Sequence, residues 1–187
     1  MMQNRIFLKT LSVAALLILA GCSDSTTERP ATSATETAAS VVTSPAQTNA
    51  SGYAQVNEER LLNADADPGQ WMSYGRNYDE QRFSPLDQIN TQTVSQLGLA
   101  WFADFDTNRG QEGTPLVIDG TIYVSTAWSK VRAYDARTGA MLWEHDPEVP
   151  GEWGVNVCCD VVNRGLAAWE GKIFVGTLDG RLLALGQ

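Results

Sequence analysis

The sequence holds a single histidine, His145, and no Cys-x-x-Cys-His run, so this stretch has no attachment site for a c-type haem. Basic residues are also scarce: 13 Lys and Arg stand against 22 Asp and Glu, a formal charge of −9. No basic patch reverses that balance, which argues against nucleic acid as a partner. The apolar run "LSVAALLILA" near the start is too short to span a bilayer, which takes roughly twenty residues. From Ser23 to Gly52 there is no aromatic residue and no apolar period, so that stretch cannot bury a core. Cysteine is limited to Cys22, Cys158 and Cys159.

What is present begins with an export signal. Arg5 and Lys9 precede the apolar run, and "LAGC" closes it. These four residues resemble the lipobox of bacterial lipoproteins. The resemblance implies removal of residues 1–21, a lipid on Cys22, and, because Ser23 follows, delivery to the outer membrane at its periplasmic face. Without residues 1–21 the formal charge becomes −11. Export also places the chain where disulfides persist. With Cys22 lipidated, Cys158 and Cys159 can pair with each other or with another molecule. Residues 22–69 then form the lipid-attachment cysteine and a Ser/Thr/Ala-rich flexible linker. Within it "NEERLLNADA" predicts a short helix. "NADADPG" alternates Asp65 and Asp67 as a calcium loop does, but it lacks the other ligand positions and reads as a turn at Pro68-Gly69.

The folded body is expected over 70–187, and it reads as strands. "TPLVIDGTIYVST" is two β-rich runs joined at Asp119-Gly120, a strong hairpin signal. "VRAYDARTGAMLWEHD" turns at Ala136 to Gly139, and "LAAWEGKIFVGTLDGRLLAL" turns at Glu170-Gly171 and Asp179-Gly180. "TIYVST" at 121–126 matches "KIFVGT" at 172–177, and "VRAY" at 131–134 matches "LLAL" at 182–185, both with an offset of 51 residues. A repeat of that length with several short strands indicates the blades of an all-β propeller. Beyond Gln70 there is room for roughly two four-stranded blades, and the second copy stops before the counterpart of Trp143. The expectation is a partial propeller, the front of a longer protein.

Four stretches carry a resemblance to a known family. Ala133, Asp135, Ala136, Thr138, Gly139 and Trp143 ("AxDAxTGxxxW") resemble the tryptophan-docking motif of eight-bladed quinoprotein dehydrogenases. "YGRNYDEQRFSPLDQINTQTVSQLGLAW" and "NRGQEGTPLVIDGTIYVSTAWSKV" resemble the leading segment and first blade of pyrroloquinoline quinone (PQQ)-dependent alcohol dehydrogenases. "CCDVVNRG" resembles the stretch bearing that family's vicinal disulfide. The resemblance implies a bond between Cys158 and Cys159, forming a ring that packs on one face of the flat quinone. It implies that Arg164 hydrogen-bonds the reactive quinone carbonyl oxygens and that Glu112 contacts the cofactor from the first blade.

By the same resemblance, the whole enzyme oxidises a small primary alcohol and passes electrons to a cytochrome c or similar acceptor, with PQQ and calcium as cofactors. The catalytic aspartate and the calcium ligands have no counterpart before Gln187, so this stretch alone is expected to be inactive. A lipoprotein propeller that binds other proteins during outer-membrane assembly, without a cofactor, would share the lipobox and the repeat. His145 falls at a strand end and is expected to be exposed. Trp71, Trp128, Trp153 and Trp169 read as packing residues.

Overall fold

The computed structural model describes residues 54–186. Cys22, the expected export signal and the expected linker up to residue 53 lie outside them. Four strands form the first sheet: β1 (Leu116–Ile118), β2 (Thr121–Ser125), β3 (Val131–Asp135) and β4 (Met141–His145), hydrogen-bonded in that order. Three more form the second: β5 (Ala167–Trp169), β6 (Lys172–Gly176) and β7 (Leu182–Gly186). Every pairing within these sheets is antiparallel. This is the up-and-down order of propeller blades, as the repeat predicts.

The 51-residue offset holds at the level of single pairs. Leu116 opposes Tyr123 in the first sheet, and Ala167 opposes Phe174 in the second. The β1–β2 turn has positive φ at Asp119 (51°) and Gly120 (83°), and the β5–β6 turn has it at Glu170 (44°) and Gly171 (75°). Two successive residues of positive φ make the tight turn whose twist suits an antiparallel hairpin. The β3–β4 turn uses a side chain instead. Asp135 Oδ1 accepts from the backbone N–H groups of Arg137 and Thr138 at 3.0 and 2.7 Å and from the Thr138 hydroxyl at 2.8 Å. Asp–x–x–Thr therefore builds its own turn.

Alternating strand positions supply the core. Leu116, Ile118, Tyr123, Val131 and Ala133 from the first sheet join Ala168, Ile173 and Val175 from the second in one buried cluster. Blades of this kind cover their faces only against neighbours, and this cluster is where the two meet. The ring seated on the Thr138-Gly139 turn is Trp101, from the segment before β1. Its Nε1–H donates to the Ala136 carbonyl at 3.0 Å, and its ring stacks near Tyr134 with centroids 6.2 Å apart. Trp143, within the motif itself, lies against Tyr123 instead, at 6.0 Å.

Two expectations need correction. The packed body does not begin at residue 70, because residues 54–69 belong to it. Val56 is fully buried and Ala54 nearly so; their carbonyls accept from Glu170 and Gly171 N–H at 2.8 and 3.1 Å. These bonds satisfy the outer side of the β5–β6 turn, a tertiary effect that local composition does not reveal. The expected helix follows as α1 (Glu58–Leu62), capped by the Asn57 side chain, and a 3-10 turn spans Ala64–Ala66. Asp65 and Asp67 pair with Arg76 and Arg60 around the turn at Pro68-Gly69. His145, expected to be exposed, is half-buried, with its Nε2 enclosed at the end of β4.

Candidate functional site

The segments that lead into β1 and β5 hold the residues singled out above. They run side by side: Thr114 and Gly165 form a parallel bridge, and Thr114 N–H donates to the Arg164 carbonyl at 3.4 Å. Thr114 and Gly165 are themselves 51 positions apart, so equivalent points of successive blades are neighbours in space. The approach is close. A Cβ on Gly113 would lie 2.5 Å from Ser125 Oγ and 2.9 Å from the Ser125 carbonyl, so only glycine fits there.

This placement brings Glu112 and Arg164 together. Arg164 Nε donates to Glu112 Oε2 at 3.1 Å, and both side chains are exposed. Among the described residues, Nε is the only atom of the Arg164 guanidinium with a hydrogen-bond partner, which leaves both Nη groups open to oxygen acceptors. Cys158 and Cys159, also exposed, are placed as a vicinal disulfide with Cα atoms 3.8 Å apart. A 3-10 turn, Gly151–Asn156, precedes them.

The cysteine segment is pinned from below. Trp128 N–H donates to the Val161 carbonyl at 2.9 Å, and Gly154 lies against the Trp128 ring. Asn163 Nδ2 donates to the Gly176 carbonyl at 2.9 Å and to Ser129 Oγ at 3.3 Å, while its Oδ1 accepts from Gly165 N–H at 3.1 Å. Arg164 is thus flanked by backbone held on both sides. Asp160, beside Cys159, accepts from Arg109 Nη1 at 3.0 Å and from Gly110 N–H at 3.4 Å. The N–H of Val161 first, then that of Gly110 and the Arg109 cation, hold the Asp160 carboxyl below the ordinary carboxylate range.

Asp160, Asn163 and Arg109 were not among the residues expected to matter. A signal for one pair was present: Arg109 and Asp160 are opposite charges at the 51-residue offset. Cys22 lies outside the described residues. Among the described residues, no group of three or more His, Cys, Asp or Glu side chains is placed to hold a metal ion.

Chemically, the arrangement offers one free-ended guanidinium, one carboxylate and a compact sulfur surface, all exposed. A flat cofactor with oxygen acceptors at one edge fits that donor set: sulfur against its face and the Arg164 Nη groups toward its oxygens.

Comparison with known proteins identifies what carries such segments. A family profile described as the PQQ glucose/ethanol/alcohol dehydrogenase β-propeller domain matches residues 71–187. The dehydrogenase subunit of the quinone-dependent alcohol dehydrogenase of Komagataeibacter europaeus is 61% identical over 127 residues, covering 68% of this chain and 17% of that protein. The 1-butanol dehydrogenase (cytochrome c) of Thauera butanivorans is 53% identical over 117 residues, 63% of this chain and 17% of the relative. The solved quinohemoprotein alcohol dehydrogenase ADHIIG of Pseudomonas putida HK5 superposes with a TM-score of 0.70 at 52% identity, covering 71% of this chain and 19% of that one. The chain spans about a sixth of the length of these curated relatives.

Proposed function

The chain belongs to the PQQ glucose/ethanol/alcohol dehydrogenase β-propeller family, and from that premise we propose that it forms the first blades of an enzyme oxidising primary alcohols to aldehydes. The relatives named above are alcohol dehydrogenases, which favours this reading over a cofactor-free scaffold in outer-membrane assembly. Electrons would pass to a cytochrome c or similar acceptor, as the Thauera enzyme's name indicates for that protein.

In this reading Cys158 and Cys159 form a disulfide platform beneath PQQ, Arg164 faces its carbonyl oxygens, and Glu112 both contacts it and steadies Arg164. PQQ, when bound, supplies the hydride acceptor. Arg164 supplies a permanent cation where negative charge accumulates on reduction, the Asn163 bonds hold the backbone beside it, and Glu112 holds its Nε. The calcium ligands and the base that takes the hydroxyl proton would come from blades beyond this stretch. Residues 1–21 would direct export, and a lipid on Cys22 would hold the enzyme at the periplasmic face of the outer membrane through the 23–53 tether.

The observation that carries the proposal is the placement of the Cys-Cys-Asp-Val-Val-Asn-Arg-Gly segment beside Glu112 at the strand entrances. The test assays alcohol-dependent dye reduction with PQQ and calcium. This chain alone is expected to give none, and a fusion restoring the remaining blades from a relative is expected to turn over. A folded, complete fusion that neither binds PQQ nor turns over refutes the reading.

A further inference from the structure

We propose that Arg109 and Asp160 form a latch that fixes the orientation of the Cys158–Cys159 ring and slows its reduction. The proposal rests on reading those cysteines as a bonded platform, and it concerns positioning residues, since neither is proposed to touch the cofactor.

The cysteine segment needs such a device. Cys158 and Cys159 are exposed, and the 3-10 turn before them ends at Asn156, leaving no sheet pairing of their own. Asp160 follows directly and holds a backbone φ of +66°, in the left-handed region that a non-glycine residue adopts only when something fixes it. Besides the N–H of Val161, two of the donors that hold its carboxylate lie on the other blade. Arg109 Nη1 reaches one Asp160 oxygen at 3.0 Å and Gly110 N–H reaches the other at 3.4 Å, so both carboxylate oxygens are held. The carboxylate thereby joins the residue after Cys159 to the segment leading into β1. The Val161 carbonyl, held by Trp128 N–H at 2.9 Å, secures the next residue. Release of Asp160 would leave Val161 as the first held residue on the C-terminal side of the ring.

An exposed ion pair with one backbone hydrogen bond shifts a local opening equilibrium by about two- to tenfold, enough to measure but not to unfold the blade. Reduction reads that equilibrium if the disulfide is attacked mainly from the released state.

The experiment treats the oxidised full chain with tris(2-carboxyethyl)phosphine under native conditions. Each disulfide becomes two thiols, the phosphine becomes its oxide, and water supplies the oxygen and both protons. The rate is followed by maleimide capture and mass, with urea midpoints recorded for every variant. Asp160→Asn tolerates positive φ but lacks the ion pair, and Arg109→Ala removes the other partner. Both are expected to speed reduction about two- to tenfold with urea midpoints unchanged, Arg109→Lys is expected to stay near the unmodified rate, and the double variant is expected to be no faster than the faster single.

A purely electrostatic effect gives a different pattern. The reductant is an anion, so loss of Asp160 charge would speed it and loss of Arg109 charge would slow it. Opposite signs, or unchanged rates in both variants, overturn the latch while leaving the cofactor platform standing. A mass unchanged by reduction in the parent chain means that no ring forms, which overturns the latch and the platform together.

Discussion

Replacing Gly139 with alanine tests how the blade is closed at its β3–β4 turn. Gly139 has φ +73°, and a Cβ there would lie 2.5, 2.7 and 2.8 Å from Cδ2, Cε3 and Cγ of Trp101. Carbon atoms do not approach that closely, so either the turn or the indole must move. The left-handed backbone costs alanine about 1–2 kcal/mol by itself. Displacing a ring that also hydrogen-bonds Ala136 adds about 1–3 kcal/mol, the usual range for overpacking. Gly139→Ala is therefore expected to destabilise by about 2–5 kcal/mol.

The two contributions separate in a double-mutant cycle. Trp101→Ala alone loses aromatic burial and the bond to the Ala136 carbonyl, about 2–3 kcal/mol for a half-buried ring. With the indole gone, the new methyl has room, and only the backbone cost remains. The double variant should be more stable than the sum of the singles by about 1–3 kcal/mol. Urea unfolding followed by far-ultraviolet circular dichroism measures this, since a slope of about 1–3 kcal/mol per molar urea turns the coupling into a visible midpoint shift. Additivity within about 0.5 kcal/mol would refute the claim that Trp101 is what Gly139 makes room for.

Val56→Ala should destabilise by about 1–3 kcal/mol in the same assay, because Val56 is fully buried; a neutral result would return residues 54–69 to the tether. Lys130 first, and then Arg132, hold the Asp106 carboxyl down to about 2. Its folded value lies below its unfolded one, so its stabilisation is present above about pH 4 and lost as pH falls toward 2. Asp106 is half-exposed, which limits the effect to below about 1 kcal/mol; the gap in urea midpoint between the parent and Asp106→Asn should close over that window. In the completed enzyme, Arg164→Ala should lower kcat about a hundredfold with the fold intact, read by steady-state dye reduction. Cys22→Ser should move the protein from the membrane fraction to the soluble periplasm and remove the lipid mass from its N-terminal peptide.

Much of the fold was legible because a propeller repeats itself. Asp119-Gly120 and Glu170-Gly171 announce the same hairpin twice, and the strand starts at Leu116 and Ala167 follow from the one offset. What stayed hidden depends on contacts made by distant chain. Ala54 and Val56 are two small apolar residues among polar ones; only the turn at 170–171 makes them core. His145 sits at a strand end as expected, yet its ring is half-covered, and no local pattern records that. At the candidate site, the adjacent Cys158 and Cys159 drew attention by themselves, whereas Arg164 and Glu112 stood out only through the resemblance of their segments to a known family. Asp160 and Asn163 did not, since an aspartate and an asparagine in a loop suit any turn.

The offset that reveals the fold also explains why the site lies where it does. Adjacent blades place equivalent positions next to each other, as Thr114 and Gly165 do. A charge before the first strand of one blade therefore meets whatever stands about 51 positions later. Arg109 meets Asp160 and Glu112 meets Arg164, at separations of 51 and 52. Neither pair could form within a single blade, because each needs both strand entrances. Side chains from the two entrances thus supply one composite surface, and the exposed cysteines sit on the segment that the second entrance carries. The same geometry makes the surface sensitive to how the blades seat on each other. A small shift of β5 against β1 would stretch the Thr114–Gly165 bridge and both ion pairs at once, so blade packing and the geometry of this surface are set by the same contacts.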